Sequence, residues 1–95
     1  MADERIERVT QLLDEAESAH GTYEQEQLGG QRDEQWARWY AEYVVEHDLG
    51  GVLGTTPTIE EVAAVLTEAT ADLEHEGGDR EWSEFAAERV VDRLG

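Results

Sequence analysis

The sequence predicts an all-α protein, a compact four-helix bundle with antiparallel or orthogonal packing, spanning residues 1–95 as a single helical domain. Three observations predict it. Apolar residues recur at spacings of three and four along nearly the whole chain, the period of a helix face. No five-residue stretch alternates as a half-buried strand must. Glycine pairs at Gly29-Gly30, Gly50-Gly51 and Gly77-Gly78 divide the chain into helix-sized lengths, because glycine supplies the left-handed backbone that stops a helix.

The first helix is expected from about Asp3, with Ile6, Val9, Leu13, Ala16, Ala19 and Tyr23 on one face. It ends at His20 or Glu24, depending on whether Gly21 is tolerated inside it. After Gly29-Gly30, Asp33 is a candidate N-cap for a second helix that ends near His47 or Asp48. The stretch from Leu49 to Thr56 reads as a glycine-rich loop in which Val52 and Leu53 form a small apolar plug. Thr58 with Glu61 makes a capping box, so the third helix opens there and runs to about His75. It buries Ile59, Val62, Ala63, Leu66, Ala69 and Leu73. Gly77-Gly78 closes it, Asp79 is placed to cap the fourth helix, and Trp82, Phe85, Ala86 and Val90 form its apolar face up to Leu94.

Composition narrows the function classes. There are 24 Asp and Glu against seven basic residues, a formal net charge of -17. Such a chain repels phosphate backbones and anionic lipid, which argues against nucleic-acid or membrane partners. No run approaches 18 apolar residues, and the polar, acidic start reads as neither a membrane anchor nor a signal peptide. The absence of Cys removes thiol chemistry, disulfides and Cys-type zinc sites. All seven basic residues are Arg, and there is no Lys and no Asn. Excess carboxylate without Lys is the surface of a protein adapted to a salt-accumulating cell, where salt screens the mutual repulsion. The expectation is therefore a cytoplasmic protein of a halophile.

The residues that can carry chemistry lie in the first half. Trp36, Trp39, Tyr40, Tyr43 and His47 fall within an arc of roughly 100° on the second helix. This aromatic stripe serves as core, and part of it can line a pocket or a partner groove. Glu17, His20 and Glu24 stack on adjacent turns if the first helix passes Gly21, which is ligand spacing for a divalent metal. His20 lies in the apolar arc of its helix, as His47 does in its own, so the two histidines can meet or each bond a backbone carbonyl or a Tyr hydroxyl. His75 falls nearly opposite Leu66 and faces solvent. Arg89 lies between Phe85 and Val90, placed to pair with Asp or Glu while its stem packs on a Trp. The only serines are Ser18 and Ser83, neither next to a base in sequence. No catalytic residue is assigned, and no cofactor is implied.

The segments Ala16-x-x-Ala19-His20-x-x-Tyr23-Glu24 and Asp33-x-x-Trp36-x-x-Trp39-Tyr40-Ala41-x-Tyr43 resemble those of a loose set of short uncharacterised prokaryotic helical proteins. The likeness covers about residues 14–48. It implies a helical fold, lends no reaction, and directs attention to His20, Tyr23, Glu24, Trp36, Trp39 and Tyr40. The function expected is a small binding or interaction module with a protein partner or self-association. The alternatives are a small-ligand or divalent-metal protein using the region of His20 and His47, with ligand residues drawn from His20, Tyr23, Glu24, Trp36, Trp39, Tyr40, Tyr43 and His47, and an acidic mimic of nucleic acid. The lack of a nucleophile and base arrangement leans away from an enzyme.

Overall fold

A computed structural model describes residues 4–30, 34–78 and 80–95. Among these residues there are five helices and no strand: α1 (Glu4–Gln27), α2 (Trp36–Glu46), α3 (Leu49–Leu53), α4 (Ile59–His75) and α5 (Trp82–Leu94). The all-α bundle is as predicted. The four predicted helices correspond to α1, α2, α4 and α5, and α3 is an addition. The candidate caps Asp33 and Asp79, like the expected start at Asp3, lie outside the described residues.

Helix α1 runs through Gly21 and stops only at Gln27. The stop is local: the Gly30 N–H donates to the Glu24 carbonyl at 2.8 Å, with Gly29 at φ 63°. That left-handed residue turns the chain so that a carbonyl of the last turn keeps a donor. Helix α4 ends in a full Schellman arrangement. The Gly78 N–H reaches Leu73 O and the Gly77 N–H reaches Glu74 O. Its start is the predicted capping box, in which the Glu61 N–H donates to Thr58 Oγ1 and the Thr58 N–H donates to Glu61 Oε1.

The expected loop with its plug is instead one helical turn, α3, entered through Asp48 at φ 73°. Leu49 and Leu53 are the buried anchors of this turn, while Val52 is only partly covered. Of the two glycines here, Gly50 answers to crowding by backbone, whereas Gly51 faces only the movable end of the exposed Asp48 side chain. A Cβ on Gly50 would stand 2.8 Å from the Thr55 carbonyl oxygen, and one on Gly51 would stand 2.4 Å from the Asp48 carboxylate. A glycine-rich sequence therefore does not mean an unstructured loop.

Helix α1 packs against α5 and α2, and α4 packs against the same two. The four long helices thus form a four-cornered bundle with α1 and α4 on opposite corners. The short α3 rests on α1 and α2. Val9, Leu13, Val44, Leu49, Val62, Leu66 and Val90 are almost fully enclosed at its centre. Each such side chain stabilises the fold by about 1.5–3 kcal/mol relative to exposure. Val65, not expected in the core, is also buried. Thr55 Oγ1 donates to Leu94 O at 2.9 Å and ties the α3–α4 connection to the end of α5.

Candidate functional site

The aromatic stripe of α2 is divided between two surroundings. Tyr40 is buried and turns towards α1 and α5, with Trp36 half-buried beside it. Trp39 and Tyr43 are partly buried and stack on each other outside, their planes 17° apart.

On the inner side Trp82, the first residue of α5, joins Trp36 and Tyr40. The three rings meet pairwise at near-right angles: Trp36 to Tyr40 at 88°, Trp36 to Trp82 at 75° and Tyr40 to Trp82 at 81°, with centroids 5.3–6.0 Å apart. Trp82 is held in place by hydrogen bonds. Its indole Nε1–H donates to Thr70 Oγ1 at 2.7 Å, and the Thr70 hydroxyl donates to Leu66 O at 2.9 Å. Both donors are therefore engaged, as a polar group at an apolar wall requires.

Together with Glu17, His20, Glu24 and Thr70, the three rings line a cleft of about 330 Å³. The volume lies at the lower end of the range for small-molecule sites, roughly 300–1,000 Å³. No Arg is among the described residues that line it. The electrostatic consequence is written on Tyr40, whose hydroxyl is pushed up to about 12, first by burial and then by the negative charges of Glu17 and Glu24. Both carboxylates therefore act on the same point inside the cleft.

His20 is a buried part of the cleft wall. Its ring lies 4.9 Å from both Trp39 and Tyr40 and 6.1 Å from Tyr23, and its Nδ1 is 3.8 Å from Glu24 Oε1. His20 thus bridges the two halves of the aromatic stripe, and packing of this kind adds about 0.5–1.5 kcal/mol per ring pair beyond area burial.

Two expectations are corrected here. His47 is exposed: it is the C-cap of α2, outside helical geometry at φ -101° and ψ 34°, so the helical-wheel position no longer applies. It stacks on Tyr43 at 3.9 Å and its Nδ1–H donates to Tyr43 O at 2.7 Å. No ring contact pairs it with His20; it ends an outer ladder of Tyr23, Trp39, Tyr43 and His47. The metal expectation also fails to find its geometry. Glu17, His20 and Glu24 share the cleft wall, yet among the described residues no group of three His, Asp or Glu is placed to hold a metal ion. The imidazole is occupied with packing against rings.

Sequence reasoning did not assign Trp82 or Thr70 to the site. The signal for Trp82 was its place at the head of the last apolar face. Nothing in a single sequence says that α5 brings it to Trp36.

The remaining charge is organised elsewhere. Arg89 pairs with Asp72 at 2.6 Å and Glu68 at 2.8 Å, and Arg93 pairs with Glu68 at 2.6 Å. The hydrogen bond to Asp72 leads the effects that raise the Arg89 pKa, against the cost of its burial. Its guanidinium carbon lies over Phe85, 5.6 Å from the ring centroid. Arg80 approaches Phe85 at 5.4 Å and pairs with Glu88. His75 is exposed, as its wheel position required.

Among the described residues no helix is long and apolar enough to cross a membrane. No protein-family model, curated protein or solved structure matches the chain.

Proposed function

We propose that the protein is a small binding module whose recognition site is the cleft lined by α1, α2, α4 and α5. The observation that carries this reading is the corner formed by Trp36, Tyr40 and Trp82, three rings at near-right angles facing two carboxylates. In this reading the site holds and orients a ligand. Titrating labelled protein with choline chloride and with 3,3-dimethyl-1-butanol tests the reading through the three indole N–H resonances. Trp36 and Trp82 should move with at least one probe while Trp39 stays in place. If neither of the two moves, the cleft is not a binding site.

A second reading is contact with a protein partner, or with a second copy, through the outer ladder. The stacking of Trp39, Tyr43 and exposed His47 favours it. Sedimentation equilibrium and the Trp39→Ala variant test the second-copy form of this reading, since loss of association on that substitution is what it requires. We place the protein in the cytoplasm of a salt-accumulating cell, on the strength of its 24 carboxylates and lack of Lys. Its melting temperature should climb as KCl is raised towards molar concentrations, because screening relieves repulsion among like charges. A melting temperature indifferent to KCl would remove the halophile reading.

A further inference from the structure

Resting on the binding-module reading, we propose that the cleft takes a small quaternary ammonium compound, its methylated cationic head set in the ring corner of Trp36, Tyr40 and Trp82 and faced by Glu17 and Glu24. Three features select this chemistry over others.

The first is the ring geometry. Aromatic faces carry negative quadrupole charge and attract cations that sit over them. Rings at 75–88° to one another form a corner rather than a stack. A corner lets one compact cation touch more than one ring, whereas a flat aromatic ligand fits a slot between parallel rings.

The second is charge. Glu17 and Glu24 both act on the Tyr40 hydroxyl, which stays neutral well into the alkaline range. No described Arg lines the cleft. An anion entering it would meet the carboxylates of Glu17 and Glu24 and, among the described lining residues, no guanidinium. A cation gains from both, within a chain whose net charge is -17.

The third is hydrogen bonding. The Trp82 indole N–H and the Thr70 hydroxyl proton are both already donated. A ligand that presents acceptors therefore finds neither of these two protons free to receive it. A methylated nitrogen carries no N–H, and its charge is spread over methyl groups that pack on aromatic faces. A divalent cation needs several oxygen or nitrogen ligands, and no described group supplies three.

The test compares choline with 3,3-dimethyl-1-butanol, which has the same skeleton with carbon in place of the charged nitrogen. Affinities are read from the Trp36 and Trp82 indole shifts at fixed ionic strength, in wild type and in Glu17→Gln. Choline should bind at least about tenfold more tightly than the alcohol, and Glu17→Gln should weaken choline roughly three- to tenfold while leaving the alcohol unchanged. Glu17 is exposed, so this substitution leaves the fold in place. Equal affinity for the two probes would overturn the cation assignment while leaving the binding module standing. Silence of both indoles with both probes would overturn the two together. A trimethyl-lysine peptide that bound more tightly than choline would move the charge to a protein and overturn the small-molecule assignment.

Discussion

The seam between α4 and α5 and the cleft lined by α1, α2, α4 and α5 set their carboxylates among different neighbours. At the seam, Glu68 and Asp72 meet the guanidinium groups of Arg89 and Arg93 at 2.6–2.8 Å. In the cleft, Glu17 and Glu24 face aromatic rings and a phenol that keeps its proton. Seven Arg cannot offset 24 carboxylates, so where the cations sit is informative. Those of the seam cross-link two helices. Among the described residues that line the cleft there are two carboxylates and no Arg, a lining that suits a cation. The difference underlies the proposal made above, in which the seam is structural and the cleft is the place of recognition.

The largest effect should come from the buried histidine of the cleft wall. His20→Ala removes a buried ring packed on Trp39 and Tyr40, at a cost of about 2–4 kcal/mol in urea unfolding. His47→Ala, on the exposed end of the outer ladder, should stay within about 0.5 kcal/mol of wild type. Equal losses at the two sites would mean that the inner and outer halves of the stripe are not distinct.

Next comes the alkaline limb of stability. Tyr40 binds its proton more tightly folded than unfolded, its pKa standing at about 12 against an ordinary 10.0. The folded state therefore holds more protons between pH 10 and 12. Stability is fully retained below pH 10 and falls as pH rises through 12, by up to roughly 2–3 kcal/mol. Tyr40→Phe should remove that component, measured as the difference between the two proteins in urea unfolding at stepped pH. Parallel curves would show that the cleft does not hold the phenol neutral.

At the seam, Arg89→Leu leaves Asp72 without its guanidinium and should cost roughly 1–2 kcal/mol, less in molar KCl. The side chain is about one-fifth exposed, so solvent already screens part of the interaction. Smaller again, Thr70→Val takes the acceptor from the Trp82 indole and should cost about 1 kcal/mol. It should also shift Trp82 emission and weaken ligand affinity, whereas Arg89→Leu should do neither. That pair of readouts separates cleft from seam most cleanly.

What could be read from the sequence was mostly local. The capping box of Thr58 and Glu61 and the two glycine stops at Gly29 and Gly77 are short-range chemistry, and they stand where expected. The helix α3 escaped because five residues are too few to show a period, and its glycines look like a loop. His47 was misplaced because a helical wheel assumes the helix continues, while α2 ends at Glu46. The site was half legible: Glu17, His20, Glu24, Trp36 and Tyr40 come from neighbouring stretches of one half of the chain. Trp82 and Thr70 come from the other half, and which helix meets which is decided by packing that no periodicity encodes.

The most direct measurement of the central claim is an intermolecular NOE experiment on the protein with choline. Contacts from the choline N-methyl protons to the indole protons of Trp36 and Trp82, with none to Trp39, are the expected result. N-methyl contacts to Trp39, Tyr43 and His47 instead would place recognition on the outer ladder and contradict the account.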